Sequence, residues 1–116
     1  MQFLITFNHI DGEWDRQTPE EQERHGSLLG EFMAELEAEQ GARLVFLEPV
    51  EQAETVRMHP DGSIEVTDGP YREGAEQPGG YYIVEAESMD EAVEWARKGR
   101  FLVGSSEVRR IVELAM

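Results

Sequence analysis

Residues 1–8, Met1-Gln2-Phe3-Leu4-Ile5-Thr6-Phe7-Asn8, alternate so that Phe3, Ile5 and Phe7 share one face of a predicted strand and Leu4 and Thr6 the other. Both faces are mostly apolar. Two further stretches have the same property: Tyr81-Tyr82-Ile83-Val84, and Ala42 to Leu47, an apolar run of strand length bounded by Pro49 and expected as a central strand covered on both sides.

Helical signals separate these strands. Thr18-Pro19-Glu20-Glu21 combines a capping Thr, a Pro suited to the first helical position and a Glu that closes a capping box, and Gly41 marks the end of the helix. Leu28, Leu29, Phe32, Met33 and Leu36 recur at helical spacing, with Glu on much of the remaining surface. Ser88-Met89-Asp90-Glu91 opens a second helix that ends at Lys98-Gly99 and is expected to bury Ala92, Val93 and Ala96.

Between the second strand and Tyr81, the runs 54–58 and 63–67 flank His59-Pro60-Asp61-Gly62, whose Pro and Asp-Gly chemistry predicts a hairpin. Residues 68–80 are crowded with turn residues and are expected to form a loop. Ser105 to Leu114 alternates imperfectly, as a strand near a sheet edge does, with Val108, Val112 and Leu114 on one face.

The order gives a single α+β domain over residues 1–116, ferredoxin-like (βαββαβ with an extra hairpin). Two helices cover only one face of a four-stranded sheet. Strands apolar on both faces therefore imply a second copy against the open face, and a homodimer is expected.

Ten basic against twenty-five acidic side chains leave a net charge of −15, which repels nucleic-acid phosphates and anionic membranes, so neither is an expected partner. With no cysteine there is no disulfide, no thiolate nucleophile and no thiolate zinc site. No basic leader opens the sequence, and no apolar run approaches the roughly 18 residues of a membrane span; a cytoplasmic location is the default expectation. His9 and His59, even with Glu21 or Asp11, match no standard metal spacing, so no metal and no cofactor is expected.

Val66-Thr67-Asp68-Gly69-Pro70-Tyr71, followed by Glu76-Gln77-Pro78-Gly79-Gly80-Tyr81-Tyr82 and Met89-Asp90-Glu91-Ala92-Val93-Glu94-Trp95-Ala96, resembles the signature of the YCII-related (DGPF) family, here with Tyr where the motif has Phe. Thr18-Pro19-Glu20-Glu21 and His25 extend the resemblance over nearly the whole chain. It implies a dimeric α+β barrel with clefts beside the sheets, and small-molecule chemistry by a His and an Asp in the cleft. One branch resembles a dechlorinating lyase acting on a hydroxylated aromatic. Association with an alternative sigma factor is a further implication of the family.

His25 falls on the inward stripe of the first helix with positions 28, 29, 32 and 36, and an imidazole can move protons near neutrality once a neighbour fixes its tautomer. Its bland alternative is a histidine satisfied by a backbone carbonyl. Asp68, where a strand breaks into Gly69-Pro70, is the candidate orienting carboxylate or, alternatively, a turn residue bonding its own backbone. Trp14 and Tyr71 are suited to stacking on an aromatic ligand or to plain loop packing, and Gly69 and Pro70 complete the substrate-binding candidates. The expectation is a small-molecule-binding dimer with His25 and Asp68 as an acid/base pair of lyase, isomerase or hydrolase type. The alternative is a non-catalytic module that senses a ligand or docks a protein such as a sigma factor.

Overall fold

The computed structural model describes residues 1–10, 12–71, 74, 76–99 and 104–114. Strand β1 (Gln2–Ile10) leads into helix α1 (Pro19–Gln40), and a short strand β2 (Val45–Phe46) precedes a 3-10 turn at Val50–Gln52. Strands β3 (Glu54–Met58) and β4 (Ile64–Asp68) form a hairpin; β5 (Glu76–Glu85), helix α2 (Met89–Lys98) and β6 (Gly104–Arg110) complete the order. The sheet runs β2-β5-β1-β6, every pair antiparallel, while β3 and β4 make a separate two-stranded ribbon. This is the ferredoxin-like α+β order, with the ribbon inserted between the second and third sheet strands.

The helix caps explain where α1 begins and ends. Thr18 accepts from the Glu21 N–H while Glu21 accepts from the Thr18 N–H, so two amides that lack intrahelical partners are satisfied reciprocally. Gly41 takes a left-handed conformation at φ 63° and returns its N–H to the Glu37 carbonyl. At α2, Ser88 accepts from the Glu91 N–H, but the Glu91 carboxylate reaches the Glu87 N–H rather than that of Ser88.

Both helices pack on one face of the sheet. Phe3, Ile5 and Phe7 of β1 with Tyr82 and Val84 of β5 meet Phe32 and Leu36 of α1 and Ala92 and Trp95 of α2 in one buried cluster. Phe32 stands edge-on to Tyr82 and to Trp95, an arrangement that satisfies the ring quadrupoles. Burial in this cluster pushes the Tyr82 phenol up from its usual range. Lys98 closes the two helices together, reaching Glu35 at 2.6 Å while lying over the Trp95 ring.

Register assigns the other face. Leu4 pairs with Ile83 and Arg109, Thr6 with Tyr81 and Glu107, and Tyr81 with Val45. Directly paired residues point the same way, so Leu4, Ile83, Tyr81 and Val45 form an apolar patch on the face away from the helices. Ile83 and Val45 are 38% and 37% exposed there.

Four expectations need correction. The apolar run at Ala42–Leu47 yields only the two-residue β2, at the edge of the sheet and not in its centre. The predicted loop at 68–80 is cut short, because β5 starts at Glu76 and absorbs Pro78-Gly79-Gly80; Arg72, Glu73 and Ala75 of that stretch lie outside the described residues. The last strand stops at Arg110, leaving Val112 and Leu114 exposed beyond it. In α2 the deeply buried residues are Ala92 and Trp95, with Val93 and Ala96 only half-buried.

Candidate functional site

A β-bulge prepares the site. Pairing between β1 and β5 is regular from Gln2 to Phe7 and then slips, so that Phe7 faces Gly80 but Asn8 faces Pro78, with Gly79 the extra residue. A bulge re-aims what lies beside it. The Gly79 carbonyl accepts from the Leu47 N–H at 2.8 Å, which ties the end of β2 to the bulge.

The missing side chains of the two glycines are filled by neighbours. A Cβ on Gly79 would coincide with Cε1 and Nδ1 of the His9 ring, and one on Gly80 with the Val45 carbonyl oxygen and the Phe7 ring. The Cε1–Nδ1 edge of the His9 ring therefore lies against bare backbone. Phe7 in turn packs edge-on against Phe46, ring centroids 5.6 Å apart.

Beside this floor opens a cavity of about 300 Å³ lined by Phe7, His9, Trp14, His25, Leu29, Phe46, Leu47 and Gly79. His25 comes from the second turn of α1. Trp14 comes from a turn whose hydrogen bonds run from Glu13 to the Ile10 carbonyl and from Gln17 to that of Trp14. Gln22 of α1 donates its amide to the Trp14 carbonyl at 2.9 Å, so the helix itself holds the turn.

The same turn orients His25. His25 Nδ1 lies 2.8 Å from Gln17 Oε1, and a carbonyl oxygen only accepts, so the proton sits on Nδ1 and the lone pair on Nε2. Nε2 has no hydrogen bond among the described residues. Glu21, one helical turn earlier, is held below its ordinary range by its hydrogen bonds with Thr18, with smaller contributions from Arg24 and His25.

The orienting group is thus Gln17, where the sequence pointed to Asp68. Asp68 is exposed at the end of β4 opposite Glu54 and makes no bond to His25. Nor does it bond its own backbone two residues on, because Pro70 has no N–H to give. Gly69 secures the turn instead: at φ 98° it donates to the Ala53 carbonyl and accepts from the Thr55 hydroxyl at 2.8 Å.

Tyr71 and Pro70 line a second cavity of about 430 Å³, with Val50, Gln77, Pro78 and Leu47, so Leu47 is the wall common to it and the His25 cavity. Tyr71 is 76% exposed. A third hollow on the same edge adds Asp15, Glu48 and Glu51 beside His9. The structure therefore brings His25 and Trp14 together and sets Asp68, Gly69, Pro70 and Tyr71 apart from them.

His9 was missed as a site residue. Its signal in the sequence was indirect: two adjacent glycines opposite the end of β1, leaving room for a ring. His59 stands in the hairpin turn, and Asp11 lies outside the described residues. Glu35 and Glu39, late in α1, pair with Lys98. A larger hollow of about 650 Å³ between α2 and β6 carries Arg97 but no imidazole.

The model of the YCII-related domain matches residues 1–115. The chain belongs to the YCII-related domain family. A curated relative, an uncharacterised protein of Rhizobium meliloti (strain 1021), is 42% identical over 71 residues. That match covers 59% of this chain and 54% of the relative, so the YCII-related chain is aligned with about half of it. No described helix of this YCII-related domain is long and apolar enough to cross a membrane.

Proposed function

We propose that the cavity between β1, β2 and α1 binds a small, largely apolar molecule and that His25 takes up and returns a proton there through Nε2. One observation carries this: the His25 ring is fixed by Gln17 on one nitrogen while it lines a cavity walled by Trp14 and Phe46. A base needs a set tautomer and a substrate held against it, and both supports are present. The volume, about 300 Å³, is at the small end for ligand sites and suits a single-ring compound. Isomerase or lyase chemistry fits a lone imidazole base.

The working unit is a homodimer joined through the open face of the sheet. Leu4, Ile83, Tyr81 and Val45 supply its apolar centre, and Glu107 and Arg109 on β6 supply charges that a two-fold axis can pair between copies.

The test is His25→Ala in a screen of neutral aromatic carbonyl and hydroxyl compounds. Turnover falls to the buffer rate while the thermal midpoint stays within a few degrees of wild type. Unchanged turnover would remove His25 from the chemistry, and a large loss of stability would make it a packing residue.

A further inference from the structure

We infer that His9 is the partner of His25, a hydrogen-bond donor that stabilises an enolate oxygen, and that the substrate is an uncharged carbonyl compound with an acidic C–H beside the carbonyl. This rests on the reading of His25 as base. Among the described residues His9 Nδ1 is buried with no hydrogen-bond partner, against the bare backbone of Gly79. A buried orphan N–H is rarer and costlier than a buried lone pair, so in the neutral ring the proton belongs on Nε2. That leaves Nε2, on a ring that lines both the His25 cavity and the acidic hollow beside it, to meet a ligand.

The two imidazoles are therefore opposite tautomers on one cavity. His25 is bonded through Nδ1–H to Gln17 and offers a lone pair; His9 offers an N–H. An acceptor and a donor lining the same cavity match a substrate that loses a proton at one atom while negative charge gathers at another. In the step, the C–H proton passes to His25 Nε2, the C–H electron pair becomes the C=C bond, and the carbonyl π pair moves onto oxygen. His9 Nε2–H hydrogen-bonds that oxygen without giving up its proton. Return of the proton from His25 to the same carbon gives exchange, and in a β,γ-unsaturated ketone, whose enolate is conjugated with the second double bond, return to the γ carbon gives the conjugated isomer, with no other reactant consumed.

The charge of the substrate follows from the lining. Among the described residues no Lys or Arg lines the His25 cavity, and Asp15, Glu48 and Glu51 stand at the adjoining hollow. A carboxylate or phosphate would lose its hydration without a cation to replace it. An enolisable ketone with an aromatic or branched body loses nothing of the kind and packs against Trp14, Phe46 and Leu47.

The experiment uses two readouts on the full chain. Long-range proton–nitrogen NMR of the histidine rings, at a pH where both are neutral, finds the proton of His25 on Nδ1 and that of His9 on Nε2. In heavy water with phenylacetone as probe, loss of the benzylic proton signal is faster with protein than in buffer. His9→Phe, which keeps the ring packing on Gly79 but not the donor, slows it on the order of a hundredfold, and His9→Gln, which keeps an N–H, recovers part of the loss. His9 protonated on Nδ1, or wild-type exchange in His9→Phe, overturns the inference and leaves His25 as base intact. Exchange that survives in His25→Ala overturns the reading beneath it. No exchange above buffer in the wild type overturns the enolate chemistry.

Discussion

His25 Nδ1 donates to Gln17 Oε1 at 2.8 Å, joining α1 to the turn that precedes it. The Gln22 bond to the Trp14 carbonyl runs between the same two pieces. The turn that carries the aromatic wall of the cavity is thus locked to the helix that carries His25, so the two pieces keep a fixed relation. Gln17→Leu removes the acceptor: the His25 tautomer, seen in ring nitrogen shifts, becomes mixed, turnover falls, and stability drops by only about 1 kcal/mol. A pure Nδ1–H signal in that variant would show that something else sets the ring.

Gly79→Ala places a methyl group where the His9 ring lies. Small-to-large changes at close-packed sites cost about 1–3 kcal/mol, and here the ring swings away, so both the melting temperature and ligand binding fall. Calorimetry and a ligand titration on the same sample check this. Gly80→Ala meets the Val45 carbonyl, which cannot swing away, and is the more destabilising of the two.

Leu36, fully buried between α1 and the sheet, reports on the core and not the site. Leu36→Ala lowers stability by about 2–5 kcal/mol in a denaturant titration while leaving the His25 tautomer unchanged.

The α1 cap has a pH signature. Hydrogen bonding with Thr18 holds Glu21 below its ordinary 4.5 in the folded state. A depressed carboxyl contributes stability above its unfolded value, and the contribution is lost as pH falls from about there through the folded value. Stability in acid therefore declines in this window, and Glu21→Gln, which removes the titrating carboxyl, flattens that part of the profile. An equally steep profile in the variant would place the effect elsewhere.

Elements set by local chemistry were legible in the sequence. Thr18, Glu21 and Gly41 bound α1, and His59-Pro60-Asp61-Gly62 turns the hairpin, because caps and turns are satisfied within a few residues. Position within the sheet was not. The β2 run is apolar because Phe46 packs on Phe7 while Val45 faces away from the helices, and a single strand does not say whether its second face meets its own chain or another. The start of β5 was hidden because Pro78-Gly79-Gly80 serves a bulge here, not a turn. His25 was legible from helical spacing, but its partner Gln17 was not, since that bond depends on the path of an irregular turn.

Ile83→Glu puts a charge at the centre of the open sheet face without touching the helix-covered core. Sedimentation finds a dimer for the wild type and a folded monomer for this variant. A wild-type monomer at micromolar concentration would remove the paired sheet from the account.

The central claim is that the His25 cavity is the ligand site, and amide and indole shift mapping with phenylacetone tests it most directly. The account predicts that the Trp14 indole and the Gly79 and Leu47 amides move together with the His25 ring signals. Shifts confined to Met89, Val93 and Arg97 beside the hollow between α2 and β6, or no shifts at all, would contradict it.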